Sequence, residues 1–190
     1  MDDNPLLIED TFVLICEYFD LITILKFESV SKLHQHFIRI HPWKHFSVEL
    51  NNMKNGVLYD DWNFVCYITT TYNFRNIDLS NSLVPINRAQ LFQNCYKINL
   101  SNTLITNTIV KLFENCEVVI LANCWQITNE CISTLKRCHT LDLTNCYKIT
   151  DFGIKLLPHH INCKKLYLKG TQVSNKMVDE LRNKGNVVYD

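Results

Sequence analysis

Short apolar–polar–apolar stretches recur along the chain: Ile77-x-Leu79, Ile98-x-Leu100, Val119-x-Leu121, Leu141-x-Leu143 and Leu166-x-Leu168. Their second members stand 21, 21, 22 and 25 residues apart. Period-two alternation over so short a span predicts a half-buried strand. A second marker follows in phase: Ile105-Thr106-Asn107, Ile127-Thr128-Asn129, Ile149-Thr150-Asp151 and Val173-Ser174-Asn175. A third is an apolar pair at i, i+3, which predicts a helix: Ile109 and Leu112, Ile132 and Leu135, Ile154 and Leu157, Val178 and Leu181. Cys95, Cys116, Cys138 and Cys163 each precede a core residue by three.

Three markers in phase predict a chain built from stacked strand-plus-helix units. No unit buries its apolar face alone, so each must pack on its neighbours. The Thr or Ser of the second marker is placed to cap the helix after it. Val48-x-Leu50 reads as an earlier core strand, with a helix inside residues 62–72 completing that unit, and residues 186–190 read as a short closing strand. Over residues 74–185 the pattern resembles the cysteine-containing class of leucine-rich repeats. That resemblance implies an α/β fold: a short right-handed solenoid of about five to six units over 47–190. Its parallel sheet would line the concave face and its helices the convex face.

The first 46 residues lack this period. Asn4-Pro5 is a helix-start signal, and Phe12, Ile15, Cys16 and Phe19 share one helical face. Asp20 to Thr23 interrupt the pattern, and Ile24, Leu25 and Phe27 follow. A third helix is expected from about Val30, with Leu33, Phe37 and Ile40 in phase, ending at His41-Pro42. Three short helices are a small core and carry more apolar residues than they can hide, so a partner groove is expected for the surplus.

Residues 7–43 resemble an F-box. The likeness rests on Leu7, Glu9 and Asp10, Ile15, Tyr18-Phe19, Ile24-Leu25, the Val30-Ser31-Lys32 element and Trp43. The family's Leu-Pro opening reads Leu7-Ile8, and its Trp after the Val-Ser-Lys element is replaced by His34. An F-box over 4–46 ahead of leucine-rich repeats resembles the substrate receptors of SCF-type cullin–RING ubiquitin ligases. The resemblance implies an F-box that binds a Skp-type adaptor, and through it a cullin–RING ligase, while the repeats hold a protein target. The adaptor-facing residues it implies are Leu7, Ile8, Glu9, Asp10, Phe12, Ile15, Phe19, Leu25 and Val30. The chain would place a substrate lysine and perform no chemistry itself. The alternative is a binding scaffold or decoy whose degenerate F-box has lost the ligase role, a reading favoured by Ile8 in place of proline.

Alternation also sketches the substrate face. With the core residues turned inward, Asn76, Asp78 and Ser80, then Lys97, Asn99 and Ser101, face outward. So do Val118, Ile120 and Ala122, then Thr140, Asp142 and Thr144, then Lys165, Tyr167 and Lys169. Val118 and Ile120 are apolar where the row should be wet, and Tyr167 between two lysines suits an interface anchor. The candidate substrate-binding residues are Asp78, Asn99, Val118, Ile120, Asp142, Lys165, Tyr167 and Lys169. A partner would cover both the apolar row and the Lys165-Tyr167-Lys169 row; coding drift on a tolerant strand is the competing reading for Val118 and Ile120.

Composition narrows the function classes. Formal net charge is zero, so no partner nucleic acid or membrane surface is expected. No signal peptide and no bilayer-length apolar run are present, so residence is expected to be intracellular, cytoplasmic or nuclear. The nine cysteines then sit in a reducing compartment, and an odd number fits a disulfide set poorly. No Cys-x-x-Cys occurs, His34, His36, His41 and His45 form only a loose cluster, and His159-His160 reads as loop. With no Gly-rich phosphate loop and no nucleophile–base pair, no cofactor and no catalysis are expected. The 21 asparagines and 18 isoleucines read as an AT-rich coding bias. Seven bases against three acids over 155–190 read as a solvated end face, with a patch for an acidic partner as the alternative.

Overall fold

The computed structural model describes residues 32, 36, 39, 47–49, 71–72, 74–83, 89–157 and 163–189. Lys32, His36 and Arg39 are helical. The adaptor-facing residues Leu7 to Val30 lie outside the described residues, as does most of the expected helix in 62–72.

Seven three-residue strands form one parallel sheet: β1 (Ser47–Glu49), β2 (Asn76–Asp78), β3 (Lys97–Asn99), β4 (Val118–Ile120), β5 (Thr140–Asp142), β6 (Lys165–Tyr167) and β7 (Val187–Tyr189). Their spatial order is their chain order, so each strand pairs with the next in sequence. The class is α/β. The strands expected at Val48 and at 186–190 are the two edges, β1 and β7.

The register follows the apolar pattern. Val48, Ile77, Ile98, Val119, Leu141, Leu166 and Val188 are Cα partners in succession. A one-residue slip would turn every core side chain to the other face. From β2 on, the middle residues are at most 8% exposed, and Leu79, Leu100, Leu121, Leu143 and Leu168 form a second buried row. Pairing outlasts the strands: Leu79, Leu100, Leu121 and Leu143 donate backbone N–H to the next unit's Asn99, Ile120, Asp142 and Tyr167 carbonyls at 2.8–2.9 Å.

After each buried leucine the chain turns through left-handed backbone. Asn81, Asn102, Asn123 and Asn145 have φ between 57° and 61°, and Gly170 takes the same place at 74°. Asn and Gly tolerate this region; other L-residues are strained there. Four of the asparagines ascribed to coding bias therefore have a conformational reason.

The return segments are shorter than the i, i+3 spacing suggests. Helices α1 (Asn107–Val110) and α2 (Asp151–Lys155) have four and five residues, and 3₁₀ turns cover Gln90–Phe92, Lys111–Phe113 and Asn129–Thr134. Among the described residues only α3 (Asn175–Asn183) reaches nine residues. Ile109, Ile132, Ile154 and Val178 are buried as expected. In the α1 unit Phe113, not Leu112, completes the pair, because the helix runs on into a 3₁₀ turn that brings position i+4 inward.

The capping expectation holds at one position. Ser174 Oγ accepts Met177 N–H at 3.2 Å, whereas Thr106, Thr128 and Thr150 make no side-chain cap bond. The Thr128 and Thr150 hydroxyls are engaged sideways instead. Asn107 donates Nδ2 to Thr128 Oγ1 at 2.8 Å and accepts Thr128 N–H at 2.9 Å. Asn129 makes the same pair of bonds to Thr150, both at 3.0 Å.

The seven described cysteines are buried free thiols. Cys124 Sγ donates to the Leu100 carbonyl and Cys146 Sγ to the Leu121 carbonyl, both at 3.1 Å. In the equivalent turn Thr103 Oγ1 donates to Leu100 and Thr171 Oγ1 to Leu168, at 2.6 and 2.7 Å. Thiol and hydroxyl do one job here: a small donor closing a buried carbonyl. Cys95 and Cys116 stack in adjacent units with Sγ atoms 3.1 Å apart.

Candidate functional site

The sheet face opposite the core is built from the first and third residue of each strand. Burial alternates intermediate–buried–intermediate in β3, β4 and β5, and exposed–buried–intermediate in β6. In β2 the face is more covered than alternation predicts. Asn76 and Ser80 are each 8% exposed, so that end of the face is not open to a partner through them.

The third strand positions read Asp78, Asn99, Ile120, Asp142, Tyr167 and Tyr189 across the sheet. Three of these side chains are tied to their own turns. Asp78 Oδ1 accepts Ser80 N–H at 2.8 Å, Asn99 Oδ1 accepts Ser101 N–H at 3.1 Å, and Asp142 Oδ1 accepts Thr144 N–H at 2.9 Å. Each is a side chain bonding backbone two residues on, a device that fixes a turn locally. Asn99 also donates to Asp78 Oδ2 at 2.9 Å and accepts the Ser101 hydroxyl at 2.7 Å. Of the predicted substrate contacts, Asp78, Asn99 and Asp142 thus have a structural task that needs no partner.

Ile120 and Tyr167 break the series. Ile120 stands between two turn-locking residues and Tyr167 beside one, Asp142, and neither side chain can make that bond. Ile120 lies between Asn99 and Asp142 in register, with Val118 beside it on the same face, both partly exposed. Tyr167 stacks on Tyr189, ring centroids 4.4 Å apart and planes 9° from parallel. Desolvation, then the neighbouring Tyr189, raises the Tyr167 phenol above its ordinary pKa. Lys165 and Lys169 flank Tyr167 and are exposed.

Two apolar and one aromatic contact site thus interrupt a self-satisfied polar face, with ammonium groups at one end. Such a surface can bind a protein segment through Ile120, Val118 and the tyrosine stack. Among the described residues no group of three or more metal-binding side chains is close enough to hold an ion. No helix among them is long and apolar enough to cross a membrane.

Sequence reasoning found Tyr167 but missed Tyr189, whose register with Tyr167 follows once residues 187–189 are aligned as a further strand. It also missed an apolar row at one edge of the stack. Leu83, Leu104, Trp125 and Tyr147 each sit two residues after a left-handed asparagine and are 40–52% exposed. Their spacing of 21, 21 and 22 was the available signal. No protein-family model matches this chain, and a search of curated proteins finds no match.

Proposed function

We propose that this chain is the target-recognition subunit of an SCF-type ubiquitin ligase. The reading treats 4–46 as an F-box that binds a Skp-type adaptor. It treats 47–190 as a right-handed leucine-rich-repeat solenoid that holds a protein target on its concave face. The chain works inside the cell, in cytoplasm or nucleus, and contributes position, not chemistry: a target lysine is held at high local concentration near a charged ubiquitin-conjugating enzyme.

One observation carries the recognition half. Where β2, β3 and β5 spend a side chain on locking their own turn, β4 and β6 present Ile120 and Tyr167 instead. Giving up a local stabilising bond for a partly exposed apolar side chain is the kind of local rule-breaking that marks functional surfaces. The ligase half rests on the resemblance of residues 7–43 to an F-box and on its place directly ahead of the repeats.

Co-purification with the Skp-type adaptor tests the ligase half. Wild type should retain the adaptor, and an Ile15→Asp, Phe19→Asp double variant should lose it. A folded wild-type chain that captures no adaptor would leave the second reading, a binding scaffold or decoy with a degenerate F-box. Ile8 for proline and His34 for tryptophan favour that reading.

A further inference from the structure

Cys95 and Cys116 occupy the same seat in adjacent units. Each follows a 3₁₀ turn and donates its backbone N–H to a buried phenylalanine carbonyl at 3.0 Å, Cys95 to Phe92 and Cys116 to Phe113. One residue on, the two backbones are already paired: Glu117 and Val118 N–H both donate to the Tyr96 carbonyl, at 2.9 and 3.1 Å. The two cysteine Cα atoms therefore stand about one strand spacing apart, roughly 4.8 Å. That lies inside the span of about 4.4–6.8 Å that a disulfide bridges without backbone movement. The Sγ atoms are 3.1 Å apart. The Cys116 thiol donates to the Cys95 carbonyl at 3.1 Å, which leaves the lone pairs of its sulfur for Cys95 Sγ.

One member of the pair borders solvent. A hollow of about 300 Å³ runs across the lead-ins to β2, β3, β4 and β5, and Cys95 belongs to its wall with Arg75, Asn94, Tyr96 and Glu117. Cys95 keeps 5% of its surface exposed, and Cys116 behind it keeps none. Cys124, Cys131 and Cys146 differ on both counts: they are fully buried, and each thiol donates to a backbone carbonyl. The Cys116 side chain first, then burial, raises the Cys95 thiol well above its ordinary pKa, with Arg75 pulling the other way. The pair therefore rests protonated and answers a high oxidant load, not a background one.

We propose that Cys95 and Cys116 form a redox-modification site, a dithiol that hydrogen peroxide converts to a disulfide joining the lead-ins of β3 and β4. The Cys95 sulfur attacks one peroxide oxygen, the O–O bond breaks, and the thiol proton leaves with the departing oxygen as water. Cys95 is then a sulfenic acid. The Cys116 sulfur attacks the Cys95 sulfur, the S–O bond breaks, and the Cys116 proton leaves with the hydroxyl group as a second water. The two thiols lose two electrons and the peroxide gains them. Exchange with a small reducing thiol reverses the link. Disulfides in a reducing compartment are of this transient, redox-sensing kind. The site uses no residue of the sheet face, so it stands or falls independently of the proposed function.

The test exposes the full native chain to hydrogen peroxide, blocks the remaining thiols with N-ethylmaleimide in denaturant, and maps cross-links by mass spectrometry. Circular dichroism before the block confirms that the chain is still folded. Cleavage after Lys97, Glu114 and Glu117 puts Cys95, Cys116 and Cys124 on separate peptides. A Cys95–Cys116 cross-link that dithiothreitol removes should form, exceeding any pairing of Cys124, Cys131 or Cys146 by roughly tenfold or more. In a Cys116→Ser variant the cross-link should vanish, and dimedone should instead trap the Cys95 sulfenic acid. The wild-type arm decides the case alone should that variant not fold. Free Cys95 and Cys116 after peroxide treatment, a cross-link that forms only in urea, or indiscriminate pairing among the cysteines would overturn the proposal.

Discussion

Asp151 accepts both the backbone N–H and the hydroxyl of Ser174, each at 2.7 Å, and so reverses the hydrogen bond that its counterparts make one and two units earlier. Asn107 and Asn129 donate an amide hydrogen to the threonine oxygen of the next unit. A carboxylate cannot donate, so the Ser174 hydroxyl spends its proton on Asp151 and keeps its lone pairs for Met177 N–H. The helix that follows is the longest described.

Replacing Asp151 by Asn should therefore restore the sideways amide bond and remove the cap. Loss of a serine cap costs about 1 kcal/mol. The Ser174 bonds, backbone first and hydroxyl second, hold the Asp151 carboxyl below its ordinary pKa, with Lys155 adding a smaller effect. A carboxyl depressed in the folded state stabilises fully above its unfolded value, about 3.9, and loses that contribution as pH falls through the folded value. Acid unfolding below about pH 4 should be shallower in Asp151→Asn than in wild type, as read by circular dichroism against pH.

Gly153→Ala reverses the usual helix rule. Glycine inside a helix ordinarily costs about 0.5–1 kcal/mol relative to alanine. Here a methyl group at Gly153 would collide with the Asn129 side chain, the one bonded to Thr150. The substitution should destabilise by about 1–3 kcal/mol. Adding Asn129→Ala should recover much of the loss attributable to the collision, giving a non-additive double-mutant cycle in urea melts.

The left-handed turn at Asn102 separates conformation from contact, since its φ is 59° and its side chain is exposed. Asn102→Gly should be close to neutral and Asn102→Ala should cost about 1 kcal/mol. Equal effects of the two substitutions in chemical denaturation would contradict the conformational account.

Ile120→Asp places an acceptor two residues before the Ala122 N–H, as in the neighbouring units. Regained turn locking offsets lost apolar burial, so stability should stay within about 1 kcal/mol of wild type. Capture of a bound protein should fall sharply. Unchanged capture by a folded Ile120→Asp, Tyr167→Asp variant would remove the sheet face from the mechanism.

Burial, as the leading cause, pushes the Cys131 and Cys146 thiols up to about 12 and raises Cys124. The Cys163 side chain first, then burial, raises Cys138 further. The thiolate is the reactive species, so these groups should resist alkylation at pH 8 in the native chain and react only on unfolding. Mass spectrometry after a timed iodoacetamide pulse reads this directly. Cys124→Ser should be mild, because Thr103 already closes the Leu100 carbonyl with a hydroxyl.

The strand pattern was legible because it follows from one unit read alone: Leu141-x-Leu143 alternates whatever its neighbours do, and the 25-residue step before Leu168 leaves the register intact. What was hidden depends on two units at once. Thr128 reads as a cap until Asn107 is placed beside it, and the crowding that keeps position 153 a glycine appears only once Asn129 is placed beside it. The helical pair at Ile132 and Leu135 suits a 3₁₀ turn as well as an α-helix, so spacing could not set the length. In the site, Tyr167 stood out by residue type, while the turn-locking work of Asp78, Asn99 and Asp142 lay in an i, i+2 relation to Ser80, Ser101 and Thr144 that was open to reading and passed over.

The chain-order sheet has a mechanical consequence. Because each strand pairs only with its sequence neighbours, a pull on the end beyond β7 loads one interface at a time. The described stack should peel like tape, each rupture releasing one unit of 21–29 residues, or about 75 Å of slack for a middle-sized unit. Each unit on the reel resists on its own account, and a force trace would count them.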